Sequence, residues 1–220
     1  MKLPELRIGN LVSPLPIVQG GMGVGISMAG LASAVAEAGG VGVIAGAMAG
    51  ITEKDVATNG LEANTRALKR EIREARSRTK GILGVNIMVA LTHFAELVKT
   101  AIDEKIDVIF SGAGLPLDLP SYLKSGVRTK LVPIVSSARA AKLICRKWLS
   151  KYNYLPDAFV VEGPMAGGHL GFKVDEIDDP RFRLENLIKE VVETVKKITA
   201  DTDKEIPVIA AGGVYTGDDI

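Results

Sequence analysis

Seven short apolar runs, separated by longer stretches of mostly helical periodicity, limit the folds open to this chain more than any single motif. The runs, bounded by glycine or proline, are Pro16–Val18, Val41–Ala45, Leu83–Val89, Val108–Phe110, Leu131–Val135, Phe159–Val161 and Val208–Ala211. Between most of them lie amphipathic patterns: Met28–Ala38, Gly60–Arg78, Phe94–Glu104, Ala138–Lys151 and Leu184–Thr199. Between the fourth and fifth runs the helical signal shrinks to Pro120–Ser125. A strand covered on both faces is apolar throughout, and the helices that cover it are amphipathic, so the pattern predicts a βα repeat around a parallel sheet.

Seven βα units in succession point to an α/β fold of the TIM (β/α)₈ barrel type. An open doubly wound sheet would carry fewer strands and a G-x-G-x-x-G phosphate turn after the first, a spacing that Gly20–Ser27 (GGMGVGIS) does not match. At 220 residues the chain reads as a single domain over 1–220. In a barrel, binding and catalytic groups collect at the C-terminal strand ends. The unusual segments here fall at those ends: QGGMGVG after the first run, Asn86 at the end of the third, Ser111–Gly114, Ser136–Arg139, EGPMAGGH after the sixth and AAGGV after the seventh. All of them should converge on one face.

The segment Val161–Phe172 (VEGPMAGGHLGF) carries the most chemistry. Glycines at Gly167 and Gly168 let backbone approach a ligand closely, and His169 beyond them has a side chain whose ordinary pKa suits proton traffic near neutral pH. An isolated histidine after a strand would more often satisfy nearby backbone, and paired glycines would more often make a turn; the companion loops tip the balance toward an active site. In Pro207–Ile220 the strand ends in Gly212-Gly213 before a Thr-Gly-Asp-Asp segment able to start a helix, and freed N–H groups there would hold an anion, as phosphate sites after the last strands of barrels do.

Charge narrows the partners. Lys plus Arg number 27 against 26 Asp plus Glu, a net charge of +1, so no global field draws the chain to nucleic acid or an anionic membrane. The basic stretch Arg66–Lys80 is interleaved with Glu71 and Glu74 and reads as a solvated outer helix. MKLPELRIGN has no apolar signal core, and the glycine-broken Gly39–Ile51 stretch falls short of the ~20 residues of a membrane span, so the expectation is a cytoplasmic protein. The single cysteine, Cys145, excludes an internal disulfide and sits in a helical pattern as a buried thiol. His93 opens a helix and reads as a cap or packing residue, and no residue cluster has metal-ligand spacing, so no metal is expected.

Four segments taken together, PIVQGGMGVGIS, GVNIM, VEGPMAGGHLGF and IPVIAAGGV, closely resemble the FMN-dependent nitronate monooxygenases, once called 2-nitropropane dioxygenases, and the related FMN-containing enoyl-acyl-carrier-protein reductases. The resemblance runs from about Leu3 to Ile220 and implies a flavin-binding barrel. It implies His169 as the catalytic histidine; Gly21, Met22 and Gly23 against the isoalloxazine; Asn86 and Met88 near the ring, with Gln19 behind; Gly167 and Gly168 beside the cofactor; and Ala211, Gly212 and Gly213 on its phosphate. Glu162 would orient His169 or bind a turn. The family pattern continues into an eighth strand with a GTRF-type loop that completes the phosphate cradle, so the residues up to Ile220 imply a barrel truncated after its seventh strand, with open edges on the first and seventh. The lysine that some nitronate monooxygenases carry after the fifth strand is absent from Pro133–Ser137.

The implied activity is oxidation of an alkyl nitronate or nitroalkane by O₂ to a carbonyl compound and nitrite. Two alternatives stand beside it: an NAD(P)H-dependent enoyl reductase using the same FMN, and a non-catalytic flavin-binding fragment. A homo-oligomer is compatible with any of the three.

Overall fold

A computed structural model of the protein describes residues 3–169 and 171–219; Leu170, within the histidine motif, lies outside them. Strands β1 (Leu6–Ile8) and β2 (Leu11–Ser13) form an antiparallel hairpin. Helix α1 (Ala29–Glu37) and strand β3 (Val41–Ala45) follow, then α2 (Gly60–Arg78), β4 (Ile82–Asn86), α3 (Phe94–Asp103), β5 (Val108–Ser111), β6 (Lys130–Val135), α4 (Ala138–Tyr152), β7 (Phe159–Glu162), α5 (Leu184–Thr199) and β8 (Val208–Ala211). Strands β3 to β8 form one sheet in sequence order, all parallel. This is the βα wall of a barrel, as the periodicity predicts. The thin helical signal at Pro120–Ser125 is a 3₁₀ turn at Leu119–Tyr122.

The first apolar run departs from expectation. Pro16–Val18 forms no full strand; it meets the sheet through a parallel bridge of Val18 to Val41. Gln19 then extends the pairing with its side chain, donating from Nε2 to Val43 O at 2.9 Å and accepting from Val43 N at Oε1 at 3.2 Å. The backbone part of this pairing is Val41 N donating to Ile17 O at 2.9 Å and Gln19 N donating to Val41 O at 3.0 Å, after which the glutamine amide stands in for a peptide group.

Side chains alternate across the strands. The outward set, including Ile44, Leu83, Val85, Ile109, Leu131 and Phe159, packs beneath the helices in the larger core. The inward set, Val41, Val43, Val108, Phe110, Val132 and Val160, forms a second core joined by Leu6 and Ile8, so the hairpin plugs the barrel interior at its N-terminal end. Two glycines set distances that no other residue allows: a Cβ on Gly42 would lie 1.8 Å from Ala32 O on α1, and one on Gly84 2.7 Å from the Phe110 ring. Helix α4 starts on Ser137, whose Oγ accepts from Ala140 N, and ends on Asn153 in the left-handed region. Cys145, on its inner face, is buried, and burial pushes its thiol up to about 12.

Acids fix the N-terminal strand ends. Asp107 accepts from Leu83 N at 2.9 Å and pairs with Arg76. Asp157, buried, accepts from Leu131 N at 2.9 Å, from the Tyr154 hydroxyl and from Lys204 Nζ at 3.3 Å. Each carboxylate satisfies the second amide of a neighbouring strand.

Candidate active site

At the opposite end the loops hold one another through missing side chains. A Cβ on Gly21 would lie 2.4 Å from Asn86 Cβ, and one on Gly23 3.3 Å from Ala47 Cβ. Gly46 N donates to Asn86 O at 2.8 Å, and Val89 N donates to Gly112 O at 2.8 Å. A Cβ on Gly112 would meet Ile134 at 2.8 Å, and one on Gly171 would meet Ser136 Oγ at 2.6 Å. The circuit closes toward β8, where a Cβ on Gly212 would lie 2.7 Å from Ala166 N and one on Gly213 3.4 Å from Met165 Cβ. Loops from the first run through β8 therefore touch neighbour to neighbour along one end of the sheet.

Ser27 anchors the first loop. Fully buried, it donates from Oγ to Gly20 O at 3.1 Å, accepts from Met22 N at 3.0 Å, and offers its carbonyl to Ala45 N at 2.8 Å. This residue went unremarked in the sequence; its signal was a serine following a glycine-rich turn at the start of a helical pattern.

The alternation of β4 and β7 turns Asn86 and Glu162 inward at this rim, with Glu162 opposite Ala211 and Asn86 opposite Ala45. Glu162 is half-buried, and burial raises its carboxyl above the usual carboxylate range. Among the described residues its side chain makes no hydrogen bond, to His169 or to any other group. His169 is exposed, and among the described residues its ring has no hydrogen-bond partner. Met22 is exposed and Met88 half-buried. Gln19 stands behind the first loop with its amide engaged by Val43.

The rim also offers backbone. Around a Cβ placed on Gly20, Gly167 or Gly168 there is nothing within 4 Å. Gly168, Gly212 and Gly213 have φ of +84°, +96° and +84°, conformations that glycine adopts without strain. Among the described residues none of the amides of Gly167, Gly168, Gly212 and Gly213 donates a loop hydrogen bond. Beyond them the Tyr215 and Thr216 amides are already taken by the Asp219 carboxylate at 2.8 and 2.7 Å, so that among the described residues the Gly212, Gly213 and Val214 amides of that loop have no acceptor. The Thr-Gly-Asp-Asp segment forms a single 3₁₀ turn at Gly217–Asp219.

Size does not locate the site. A groove of about 1060 Å³ lies on the outer layer between α2 and α3, where Arg66, Arg70 and Arg73 are ion-paired with Glu53, Asp55 and Glu104. The strand ends, the inward polar pair and the open glycines all lie elsewhere. No helix among the described residues is long and apolar enough to cross a membrane, and none of their His, Cys, Asp and Glu side chains gather in threes as metal ligands would.

Against known proteins, the sequence pattern described as nitronate monooxygenase matches residues 7–220. The chain belongs to the nitronate monooxygenase family. Among solved structures this family member is similar to FabK from Thermotoga maritima, with 31% identity and a TM-score of 0.66 over 92% of this chain and 52% of that one. It shares its fold with the nitroalkane oxidase of Streptomyces ansochromogenes at a TM-score of 0.70 and 24% identity, over 94% of this chain and 61% of that one. Among curated proteins it is similar to the (3aS,4S,5R,7aS)-5-hydroxy-7a-methyl-1-oxo-octahydro-1H-indene-4-carboxyl-CoA dehydrogenases of Rhodococcus jostii (strain RHA1) and Mycobacterium tuberculosis, 26% and 29% identical over 202 residues. The chain covers 46% of each, so it spans about half the length of the curated relatives it matches. Nitronate monooxygenases, as their name says, are oxidoreductases.

Proposed function

We propose that the protein is an FMN-dependent nitronate monooxygenase, converting an alkyl nitronate and O₂ to a carbonyl compound and nitrite. What carries the reading is a coincidence: the family match spans 7–220, and the open, positive-φ glycines fall at the one end of the sheet where its loops meet.

The residues present suit a flat cofactor with a phosphate. Gly21 and Gly23, held against Asn86 and Ala47, offer a backbone edge with no side chain in the way. The Gly212 and Gly213 amides, with Ala211 before them, are the donors for a phosphate, and Gly167 and Gly168 line the approach. When bound, FMN supplies one-electron oxidation of the nitronate and passage of that electron to O₂. The chain's own part is position and protons. His169 takes the α-proton of a neutral nitroalkane at a ring nitrogen, or in its protonated form orients the nitronate anion. Glu162, whose carboxyl burial raises above the usual carboxylate range, faces the same rim.

A second reading has support of its own in the 31% identity with FabK. In an enoyl-thioester reductase the same rim would hold FMN, and His169 would protonate or polarise the thioester enolate. Three measurements on the full-length protein separate the readings: flavin absorbance, O₂ uptake with nitrite release on an alkyl nitronate, and NADH oxidation with and without a crotonyl thioester. Flavin with nitrite release supports the monooxygenase; thioester-dependent NADH oxidation without nitrite release replaces it with the reductase; absence of chromophore removes both.

A further inference from the structure

We propose that Val24, Ile26 and Met48 form an apolar wall at the C-terminal rim that holds the uncharged aliphatic chain of the substrate and favours medium-length over short alkyl groups. The inference rests on the nitronate reading for its choice of substrate and extends it from a reaction to a substrate class.

Three observations converge on this wall. The first is exposure: Val24 and Ile26 are each 59% exposed and Met48 43%, although a folding chain gains by covering such groups. The second is strain. Val24 has φ +56° and Met48 φ +52°, in the left-handed region, where a β-branched side chain is an outlier. Strain of this kind persists only where the surroundings enforce it, and they do: Val24 N donates to Ala47 O at 3.2 Å, Ile51 N donates to Met48 O at 3.1 Å, and Ser27 fixes the rest of the loop. The fold thus holds apolar side chains out to water in a fixed arrangement, which lowers the ordering cost of binding. The third is charge. Neither Leu15–Ser27 nor Val41–Ile51 contains a charged residue, so these two segments suit hydrocarbon rather than a phosphate or carboxylate. The wall is continuous with the candidate site, because Gly21 and Gly23 of the same loop lie on Asn86 and Ala47.

The test has an activity arm and a binding arm on the full-length, flavin-loaded protein. In the first, kcat/KM is measured for primary alkyl nitronates from two to eight carbons; burial of each methylene on one side of the chain should raise it about twofold to fourfold per carbon. In the second, ¹³C-methyl methionine spectra are recorded with unreactive linear amides of the same lengths. Met22 and Met48 should shift, increasingly with length, while Met28 at the foot of α1 stays put. Val24→Gly and Met48→Gly keep the fold, since glycine suits their φ, and together should at least halve the length dependence. Leu143→Ser on the outer face of α4 should leave it alone. A flat length dependence in both arms, or one that survives the double glycine variant, overturns the wall. Length-dependent methionine shifts without any nitronate consumption would keep the wall and sink the nitronate reading.

Discussion

At the N-terminal ends of the strands, Asp107 and Asp157 each accept a neighbouring strand's amide and an arginine or lysine, and Leu6 and Ile8 fill the space between. At the C-terminal ends of the same two strands the chain turns at Gly112 and Gly163, acids give way to glycines, and side chains such as Val24 and Met165 stand in water. The first end has its polar groups paired and its apolar groups covered. The second leaves both kinds of group available and holds itself together through backbone contacts. One sheet thus separates the residues that stabilise it from those that can bind, and substitutions at the two ends should move different observables.

The largest separation is expected from His169→Ala. In the full-length protein turnover of a neutral nitroalkane should fall about 10²–10⁴-fold, the usual contribution of a placed acid–base group, or roughly 3–5 kcal/mol of barrier. Turnover of preformed nitronate should fall far less, and flavin content and melting temperature should not move, because His169 is exposed. Equal losses on both substrates would show that His169 binds the anion rather than removing a proton.

The mirror experiment is Asp157→Ala. It strands the buried Leu131 amide and the partners Tyr154 and Lys204, so urea denaturation should show a loss of about 2–4 kcal/mol. Flavin affinity, measured on the folded fraction, should stay within about twofold. A large affinity change would mean that the two ends are coupled, contrary to the division drawn here.

Gly21→Ala probes the rim's reliance on absent side chains. With its Cβ 2.4 Å from that of Asn86, the loop or the asparagine must shift, and flavin affinity should drop about tenfold, near 1.4 kcal/mol, with a smaller effect on stability. Unchanged flavin binding would remove Gly21 from the cofactor surface.

The smallest effect is a pH dependence. Burial raises the Glu162 carboxyl above its usual 4.5, so the folded state holds that proton more tightly than the unfolded chain does. Stability from this group is therefore intact below the ordinary carboxylate pKa and is lost as pH rises through the raised one. Glu162→Gln should match the parent in urea at pH 4 and exceed it at pH 8. An advantage of equal size at both pH values would show that the effect is not one of ionisation.

Much of this was legible from residue order. The apolar runs from Val41 onward became strands, and all five helical patterns became helices within a residue or two of their expected ends. The hairpin of β1 and β2 was missed, although its signal was present: Gly9-Asn10 between alternating residues, with Gly9 at φ +59°. Two strands of three residues carry too little periodicity to stand out. The candidate site was legible as a set of positions, because glycine pairs and a histidine are rare enough at strand ends to be noticed. Which of those positions meet was not: Gly21 against Asn86 and Gly212 against Ala166 join residues far apart in the chain. A Glu162–His169 hydrogen bond, one of the two roles open to the acid in the sequence, is not among the contacts of the described residues, where burial raises the Glu162 carboxyl.

The sequence by itself determined the parallel sheet, its order and the end at which the unusual loops lie, because strand and helix periods are local and a βα repeat allows few arrangements. Only the tertiary structure decided that Pro16–Val18 joins the sheet by a single bridge, that Asp107 and Asp157 clamp the opposite end, and that Val24 and Met48 are held in left-handed backbone facing solvent. Each of these depends on what lies across space from a residue: a carbonyl within reach, an amide left unpaired, a neighbouring loop that fixes φ. Those distances follow from packing, and packing is settled only when the whole sheet closes on its helices.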